Sequence, residues 1–270
     1  MTDRLLRARA SQVIDRAVST LEQGMRDGVL VPTGDVSRRG FLRAGSTSLA
    51  MALLAGCDSK GPDSAQKLLD FATRRNEVVE RWLLRHTAID HVRASAVNAG
   101  AQFPSYFISK VVPTWDATAN GAWMLEVAGL VRTPLTLSLA QLMALPRTEQ
   151  RVDHFCVEGW NAVATFGGVS VREISKLAGP LPGADYVDFS SYDDGYHESW
   201  DMESTMHPQT MIVLAKDGQL LSPAYGAPAR VHSPIKLGYK NTKYLTKITF
   251  MAERNGGYWT DNGYEWFGGT

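Results

Sequence analysis

Cys156 and Glu158 stand two residues apart in His154-Phe-Cys-Val-Glu-Gly-Trp160, so a thiol and a carboxylate share one short stretch of chain. Downstream, Gly226-Ala-Pro-Ala-Arg230 supplies a turn and an arginine, and Lys236-Leu-Gly-Tyr-Lys240 supplies a lysine loop around a glycine. A thiolate is a soft ligand for a redox metal. A carboxylate can move protons, and a glycine among cations lets a backbone approach a phosphate closely. Together these residues are what a thiolate-ligated metal with a phosphorylated organic cofactor would need. A single thiolate cannot hold zinc or an iron–sulfur cluster alone, so as a ligand Cys156 must share its metal with a cofactor. Residue type and spacing equally allow a buried structural thiol.

The only other cysteine, Cys57, closes an export-like segment. Ser37-Arg-Arg-Gly-Phe-Leu42 is a twin-arginine pattern, followed by an apolar, small-residue run from Ala44 to Gly56. That run is short of the ~20 apolar residues that cross a bilayer, but it suffices for a signal peptide. Leu54-Ala-Gly-Cys57 resembles a bacterial lipobox, which implies acylation of Cys57, with Asp58 implying retention at the inner membrane. The expectation is a periplasmic, lipid-anchored protein, since two acyl chains hold a protein stably at a membrane. Twin-arginine export carries folded proteins, which suits a chain that takes up a complex cofactor before crossing. Ahead of the arginine pair, Leu5, Leu6, Val13, Ile14, Ala17, Val18, Leu21 and Met25 recur at roughly helical spacing. The segment reads either as an amphipathic extension or as sequence upstream of a true start at Met25.

Composition narrows the class. The chain has 270 residues, and 28 Lys+Arg balance 28 Asp+Glu, which gives no footprint for nucleic acid and no polybasic membrane patch. After loss of an export segment ~210 residues remain, enough for one well-cored domain. There is no dinucleotide-binding glycine loop, Walker loop or serine nucleophile elbow. The six histidines form neither a HExxH site nor, with cysteines, a paired CxxC site.

The elements that must position the chemistry read as follows. Residues 1–57 are the extension and signal, 58–122 a tether, helix and lead-in, and 123–270 the catalytic domain, its core beginning near residue 91. Apolar residues from Leu68 to Leu83 predict a helix over 65–90. Pro104 and Pro113 break the stretch 91–120. Trp123 to Ala128 and Leu135 to Leu139 alternate as strands, and Ser138 is placed to cap a helix from Leu139 to Leu145. Arg151 to Cys156 reads as a strand with the cysteine at its end, Val169 to Leu177 as a helix, and Tyr186 to Ser190 as a strand. Met211 to Ala215 is a buried apolar run, Asp217-Gly218 a hairpin turn, and Thr246 to Met251 a closing strand. An aromatic, glycine-rich tail follows, and His197 and Asp201 read as part of a polar aromatic loop. The fold class is α+β, β-rich and mixed, rather than a doubly wound sheet.

From Trp123 onward the chain resembles the sulfite oxidase-type molybdopterin oxidoreductases, within the exported branch that includes the periplasmic methionine sulfoxide reductase catalytic subunit. The resemblance is carried, in family order, by Trp123-Met-Leu-Glu-Val-Ala-Gly-Leu-Val-Arg-Thr-Pro-Leu135, Cys156-Val-Glu-Gly-Trp160, His207-Pro-Gln-Thr210, Gly226-Ala-Pro-Ala-Arg230, Leu237-Gly-Tyr-Lys240 and the Gly-Tyr-Glu-Trp tail at 263–266. It implies a molybdenum–molybdopterin cofactor with Cys156 as the protein ligand to the metal. It implies that Arg230 contacts the pterin and that Asn241, Thr242 and Lys243 hold the terminal phosphate. Lys236, Lys240 and Lys243 would add positive charge there, Gly238 would allow close approach, and Ser191 falls near a hydroxyl contact. Tyr225 stands where relatives commonly carry Asn or His as a cofactor contact, and Phe103-Pro-Ser-Tyr-Phe107 matches poorly the segment that closes over the pterin.

If the strand ran on past Cys156, Glu158 would face the same side and could move protons, or serve as a hydrogen-bonded structural carboxylate; His154 shares that face. A carboxylate beside the metal disfavours an anionic substrate. The reading is therefore periplasmic oxygen-atom transfer, with reduction of a neutral S-oxide or N-oxide, small or protein-bound. Electrons would come from a separate membrane haem protein or cytochrome. The alternatives are a sulfite dehydrogenase, favoured by a positively charged pocket, and a non-catalytic lipoprotein module with a repurposed fold, favoured by Tyr225.

Overall fold

The computed structural model describes residues 71–72, 75–82, 103–193 and 195–270. The chain divides into two compact units, Met1–Val79 and Glu80–Thr270. Of the helix expected over 65–90, residues 71–72 and 75–82 are described, and they are helical. The twin-arginine pattern, the lipobox and the extension before them lie outside the described residues.

The second unit holds two five-stranded sheets. The first runs in the order β2 (Leu135–Ser138), β1 (Met124–Gly129), β10 (Leu245–Met251), β5 (Tyr186–Ser191), β6 (His197–Asp201). The second runs β3 (Arg147–Phe155), β4 (Asn161–Ser170), β7 (Met211–Lys216), β8 (Gln219–Leu220), with β9 (Arg230–His232) also paired to β7. Only β1 and β10 run parallel; the other pairs are antiparallel. With the short helices α1 (Leu139–Ala144) and α2 (Val171–Ala178) this is a β-rich α+β fold, as expected.

Period-2 alternation explains the core. Leu125 and Val127 of β1, Val187 and Phe189 of β5, and Ile248 and Phe250 of β10 join Ile212 and Leu214 of β7 in one buried cluster. The intervening β7 residues, Met211 and Val213, point the other way into a second cluster with Phe166, Val152 and Phe103. β7 is thus buried on both faces, which is why its sequence is apolar without alternation.

Local chemistry sets the boundaries. Ser138 accepts from the backbone of Gln141, whose side chain returns the bond, so α1 starts with a complete capping box. Ser170 caps α2, which begins at Val171, two residues later than the expected Val169, because Val169 is held in β4 opposite Arg147 of β3. The hairpin at Asp217-Gly218 is present, with φ of 50° and 78°, the left-handed pair such a turn requires. Strand β3 begins at Arg147 rather than Arg151, since its pairing with β4 runs from Arg147 to Phe155. Strands β4, β6 and β9 are additions to the sequence reading. His197 and Asp201 bound strand β6 rather than lying in a loop.

On the β5–β6 pair, His197 Nδ1 lies 2.7 Å from Asp188 Oδ1, and that hydrogen bond raises the imidazole pKa against the effect of burial. A histidine whose folded pKa is raised stabilises the fold fully below its unfolded value of about 6.5, and this stability is lost as pH rises through the folded value. His197→Gln is therefore expected to reduce the loss of stability between about pH 6 and about pH 8. Urea unfolding of both proteins at the two pH values measures it; equal pH slopes would remove His197 as the cause.

Candidate active site

The β3–β4 hairpin presents the thiol. Strand β3 ends at Phe155, and the chain turns at once: Cys156 N–H donates to Trp160 O at 2.9 Å, and Gly159 N–H donates to Cys156 O at 3.0 Å. Gly159 sits at φ 86°, a conformation that favours glycine. The strand does not continue to Glu158, so strand periodicity is not what brings the carboxylate beside the thiol. The turn does. Glu158 Oε2 is 3.8 Å from Cys156 Sγ and accepts from Trp160 Nε1 at 2.9 Å, which fixes its direction. Burial raises the Cys156 pKa and the Glu158 carboxylate adds to that, while backbone hydrogen bonding opposes both.

Cys156 and Glu158 open on a cavity of about 300 Å³. Of the residues singled out by sequence, Ser191, Arg230, Gly238, Asn241 and Lys243 also line it. Strand β9 carries Arg230, held opposite Val213 of β7. Its guanidinium is 1% exposed and donates only to the carbonyls of Tyr225 at 3.4 Å and Asn241 at 3.3 Å. Its Nε has no partner, and no carboxylate pairs with it among the described residues. Burial brings its pKa down to about 10. Lys243 Nζ likewise donates to carbonyls, those of Tyr106 at 2.6 Å and Ala224 at 3.2 Å, and burial followed by repulsion from Arg230 brings it down to about 7. Two cations beside one cavity, served only by neutral oxygens, make a receptor for an anion.

The remaining candidates fall elsewhere. Lys240 Nζ pairs with Glu198 Oε2 at 2.6 Å, both side chains fully buried. Lys236 Nζ donates to Phe267 O at 2.6 Å, lies 3.4 Å from Asp201 Oδ2, and sits over the Phe267 ring. Neither ammonium lines the cavity. The Asn241 side chain is consumed by its own loop: Nδ2 donates to the carbonyls of Lys236 and Leu237, and Oδ1 accepts from Ser233 N–H. Thr242 is buried with its hydroxyl unpartnered. Gly238 permits close approach of a different group, since a Cβ there would meet His154 Nε2 at 2.8 Å. His154 in turn contacts His232 through Nδ1 at 3.1 Å, and burial with the charges of Arg230 and Lys243 drives its pKa down to about 3. Ser191 Oγ accepts from Asp193 N–H. Tyr225 is turned away, and its hydroxyl donates to Phe103 O at 3.0 Å.

Part of the wall comes from segments the sequence reading quoted without assigning contacts: Tyr106 and Phe107 from 103–107 and Tyr264 from the 263–266 motif. Ile108 and Trp259 were not singled out.

The site sets a thiol and a carboxylate on one cavity that two buried basic side chains also line. Residues 110–259 match the family described as oxidoreductase molybdopterin binding domain. The chain is 37% identical over 235 residues to a protein of Azospira oryzae provisionally named as protein-methionine-sulfoxide reductase subunit YedZ1, covering 87% of this chain and 88% of that one. It is 30% identical over 154 residues to the protein-methionine-sulfoxide reductase catalytic subunit MsrP of Campylobacter jejuni, covering 51% of this chain and 52% of that one, about half its length. Among solved structures, the sulfane dehydrogenase SoxCD of Paracoccus pantotrophus aligns with a TM-score of 0.47 and 21% identity over 48% of this chain and 38% of that one. The chain belongs to the oxidoreductase molybdopterin-binding domain family, and it is a molybdopterin-dependent oxidoreductase.

The residues present fit that cofactor. Arg230 Nε and the hydroxyls of Thr242 and Tyr244 are buried polar atoms without partners, and Arg230, Lys243 and Tyr244 line the cavity that Cys156 opens on. The Tyr225 substitution leaves this set intact, which removes the support for a non-catalytic module.

The ion pairs give a test that separates scaffold from site. Burial raises Glu198 and lowers Lys240, and their pairing counters both shifts. Removing one member strands the other charge, so Lys240→Met is expected to cost about 3–5 kcal/mol in urea unfolding, much of it recovered in the Glu198→Leu/Lys240→Met double variant. Loss of cofactor from Lys240→Met without loss of stability would instead make Lys240 a cofactor contact.

Proposed function

We propose that this chain is an exported, lipid-anchored periplasmic reductase of S-oxides, with methionine sulfoxide in peptides or proteins as its substrate class. The names of its relatives support the reaction, and the twin-arginine pattern and the lipobox ending in Cys57 support the location. The observation that carries the substrate class is the Glu158 carboxylate 3.8 Å from the Cys156 thiol. Burial and Glu158 are the groups that raise Cys156, whereas Arg230 and Lys243 act on His154. The Glu158 carboxylate beside the thiol disfavours sulfite and favours a neutral sulfoxide. Arg230 is the one arginine lining the cavity among the described residues; Arg172 donates to Met206 O instead.

Cys156 would ligate the molybdenum, and Arg230, Lys243 and the Thr242 and Tyr244 hydroxyls would hold the pterin and its phosphate. When bound, the cofactor supplies two-electron oxygen-atom transfer. The reaction converts a sulfoxide, two electrons and two protons into a thioether and water. Electrons come from a separate haem protein. Protons need a positioned carrier, and the Glu158 carboxylate, whose Oε2 accepts from the Trp160 indole, is placed to relay them. The rings of Trp160 and Tyr106, with centroids 6.0 Å apart, both line the cavity.

In natively matured protein, Glu158→Gln is expected to retain one molybdenum per chain and to lower kcat for a sulfoxide by about 10²–10⁴-fold, while Cys156→Ala abolishes turnover. Elemental mass spectrometry and steady-state kinetics measure both. A higher kcat/KM for sulfite oxidation than for sulfoxide reduction would overturn the substrate class.

A further inference from the structure

Residues Phe103–Ser109 form neither helix nor strand, yet Phe103, Pro104, Tyr106, Phe107 and Ile108 line the cavity. Backbone without a ladder must be held by something else. Here long-range side chains hold it at three points. At its far end, Asp193 accepts from Ile108 N–H at 3.1 Å and from the Ser109 hydroxyl. At its middle, Lys243 donates to Tyr106 O. At its start, Tyr225 donates to Phe103 O at 3.0 Å.

The start carries the densest fastening. The Tyr225 ring meets the Phe103 ring edge-on, with centroids 5.9 Å apart at 88°. Lys216 Nζ lies 4.8 Å from the Tyr225 centroid and 5.4 Å from that of Phe103, so one ammonium serves both rings. Phe103 is 5% exposed and reaches His154 at 4.9 Å and Phe166 at 5.8 Å, so the strap is seated on the wall behind Cys156. Tyr225 itself does not line the cavity, and its hydroxyl is engaged by the strap.

We propose that Tyr225 is a positioning residue that latches the Phe103–Ser109 strap over the cofactor cavity and so sets how slowly the bound cofactor leaves. The latch rests on the cofactor assignment above, but its mechanics are this chain's own. The strap supplies one wall of the cavity, and opening it at Phe103 costs the Tyr225 hydrogen bond, the edge-on ring contact and the shared cation. The middle point reinforces the coupling. Lys243 both holds the strap and faces the cavity, so a phosphate there and a closed strap share one ammonium.

The test uses the full, natively matured chain. Tyr225→Phe removes only the hydroxyl, and Tyr225→Asn removes the ring and the cation contact as well. Three quantities are followed: release of molybdenum and of pterin fluorescence after dilution, cleavage at Tyr106 and Phe107 by a chymotrypsin-type protease, and the thermal midpoint. Loss of one net hydrogen bond corresponds to about five-fold faster release and cleavage for Tyr225→Phe, with a larger increase for Tyr225→Asn. Lys216→Gln, which removes the cation shared by the two rings together with the Lys216–Asp217 ion pair, is expected to change both rates in the same direction. Release and cleavage at wild-type rates in Tyr225→Phe would overturn the latch. So would effects that merely follow a lowered thermal midpoint, because the residue would then be part of the general core. If the wild-type protein holds no molybdenum, the cofactor assignment fails, and strap cleavage alone decides the latch.

Discussion

Arg230, 1% exposed and with no carboxylate paired to its guanidinium among the described residues, is the constraint on which this structure turns. Removing a cation from water is expensive unless an opposite charge replaces the lost solvation. Arg230 has only two carbonyls, at 3.3 and 3.4 Å, and an unpartnered Nε. It cannot escape, because β9 is held in register against β7, and β7 is packed on both faces. The protein fold alone leaves this charge incompletely met. An anionic group in the cavity completes it, so occupancy of the site and stability of the fold are linked by mass action. Lys243 adds a second basic group, which the Asp193 carboxylate in the same cavity partly offsets, and the hydroxyls of Thr242 and Tyr244 add buried atoms that lack partners.

The lysines of the 236–243 loop show what position can hide. In sequence, Lys236, Lys240 and Lys243 are equivalent members of a basic cluster. The fold separates them by their counter-charges. Asp201 and Glu198, at the end and start of β6, face Lys236 and Lys240 and convert those two into buried ion pairs that pin the loop from behind. With its ion pairs made on one side, the loop turns its remaining cation, Lys243, toward the cavity. Nothing local announces this division, since each carboxylate lies 35 or 42 residues from its lysine. The Asn241 amide shows the same logic: it holds the loop's carbonyls, and thereby positions the neighbours that face the cavity.

What was legible in the sequence had strong local signals. β1, β10 and α1 alternate or cap as their residue types require, and β7 announces its double burial by being apolar throughout. Cys156 and Glu158 were legible as a pair, although the reason for their proximity was not: a tight turn closed by Gly159, not a continuing strand, sets it. The missed strands had weak local contrast. β4 reads Asn-Ala-Val-Ala-Thr-Phe-Gly-Gly-Val-Ser, with small residues and glycines that a β-branched pattern would not select. Gly168 is needed because a Cβ there would lie 2.0 Å from Ile212 O, at the bulge where β4 meets β7. β6 is polar, and its burial depends on partners far away in the chain. The Phe103–Ser109 strap has no periodicity at all, because its hydrogen bonds are made with partners 84 to 137 residues later.

Tyr225 draws these strands of argument together. Judged by position alone, a phenol where a smaller polar contact is usual looks like damage to the site. In the fold it has exchanged one partner for another: its hydroxyl meets a strap carbonyl, and its ring completes a cluster with Phe103 and Lys216. The cavity keeps its cations and its thiol. The resulting site is electrically divided, with the carboxylate of Glu158 acting on the thiol and the cations of Arg230 and Lys243 acting on His154. A cofactor that is anionic at its phosphate and a substrate that is neutral at its oxide satisfy both halves at once. A substrate carrying its own negative charge would satisfy only one, if the cofactor's phosphate takes up the cations that would attract it.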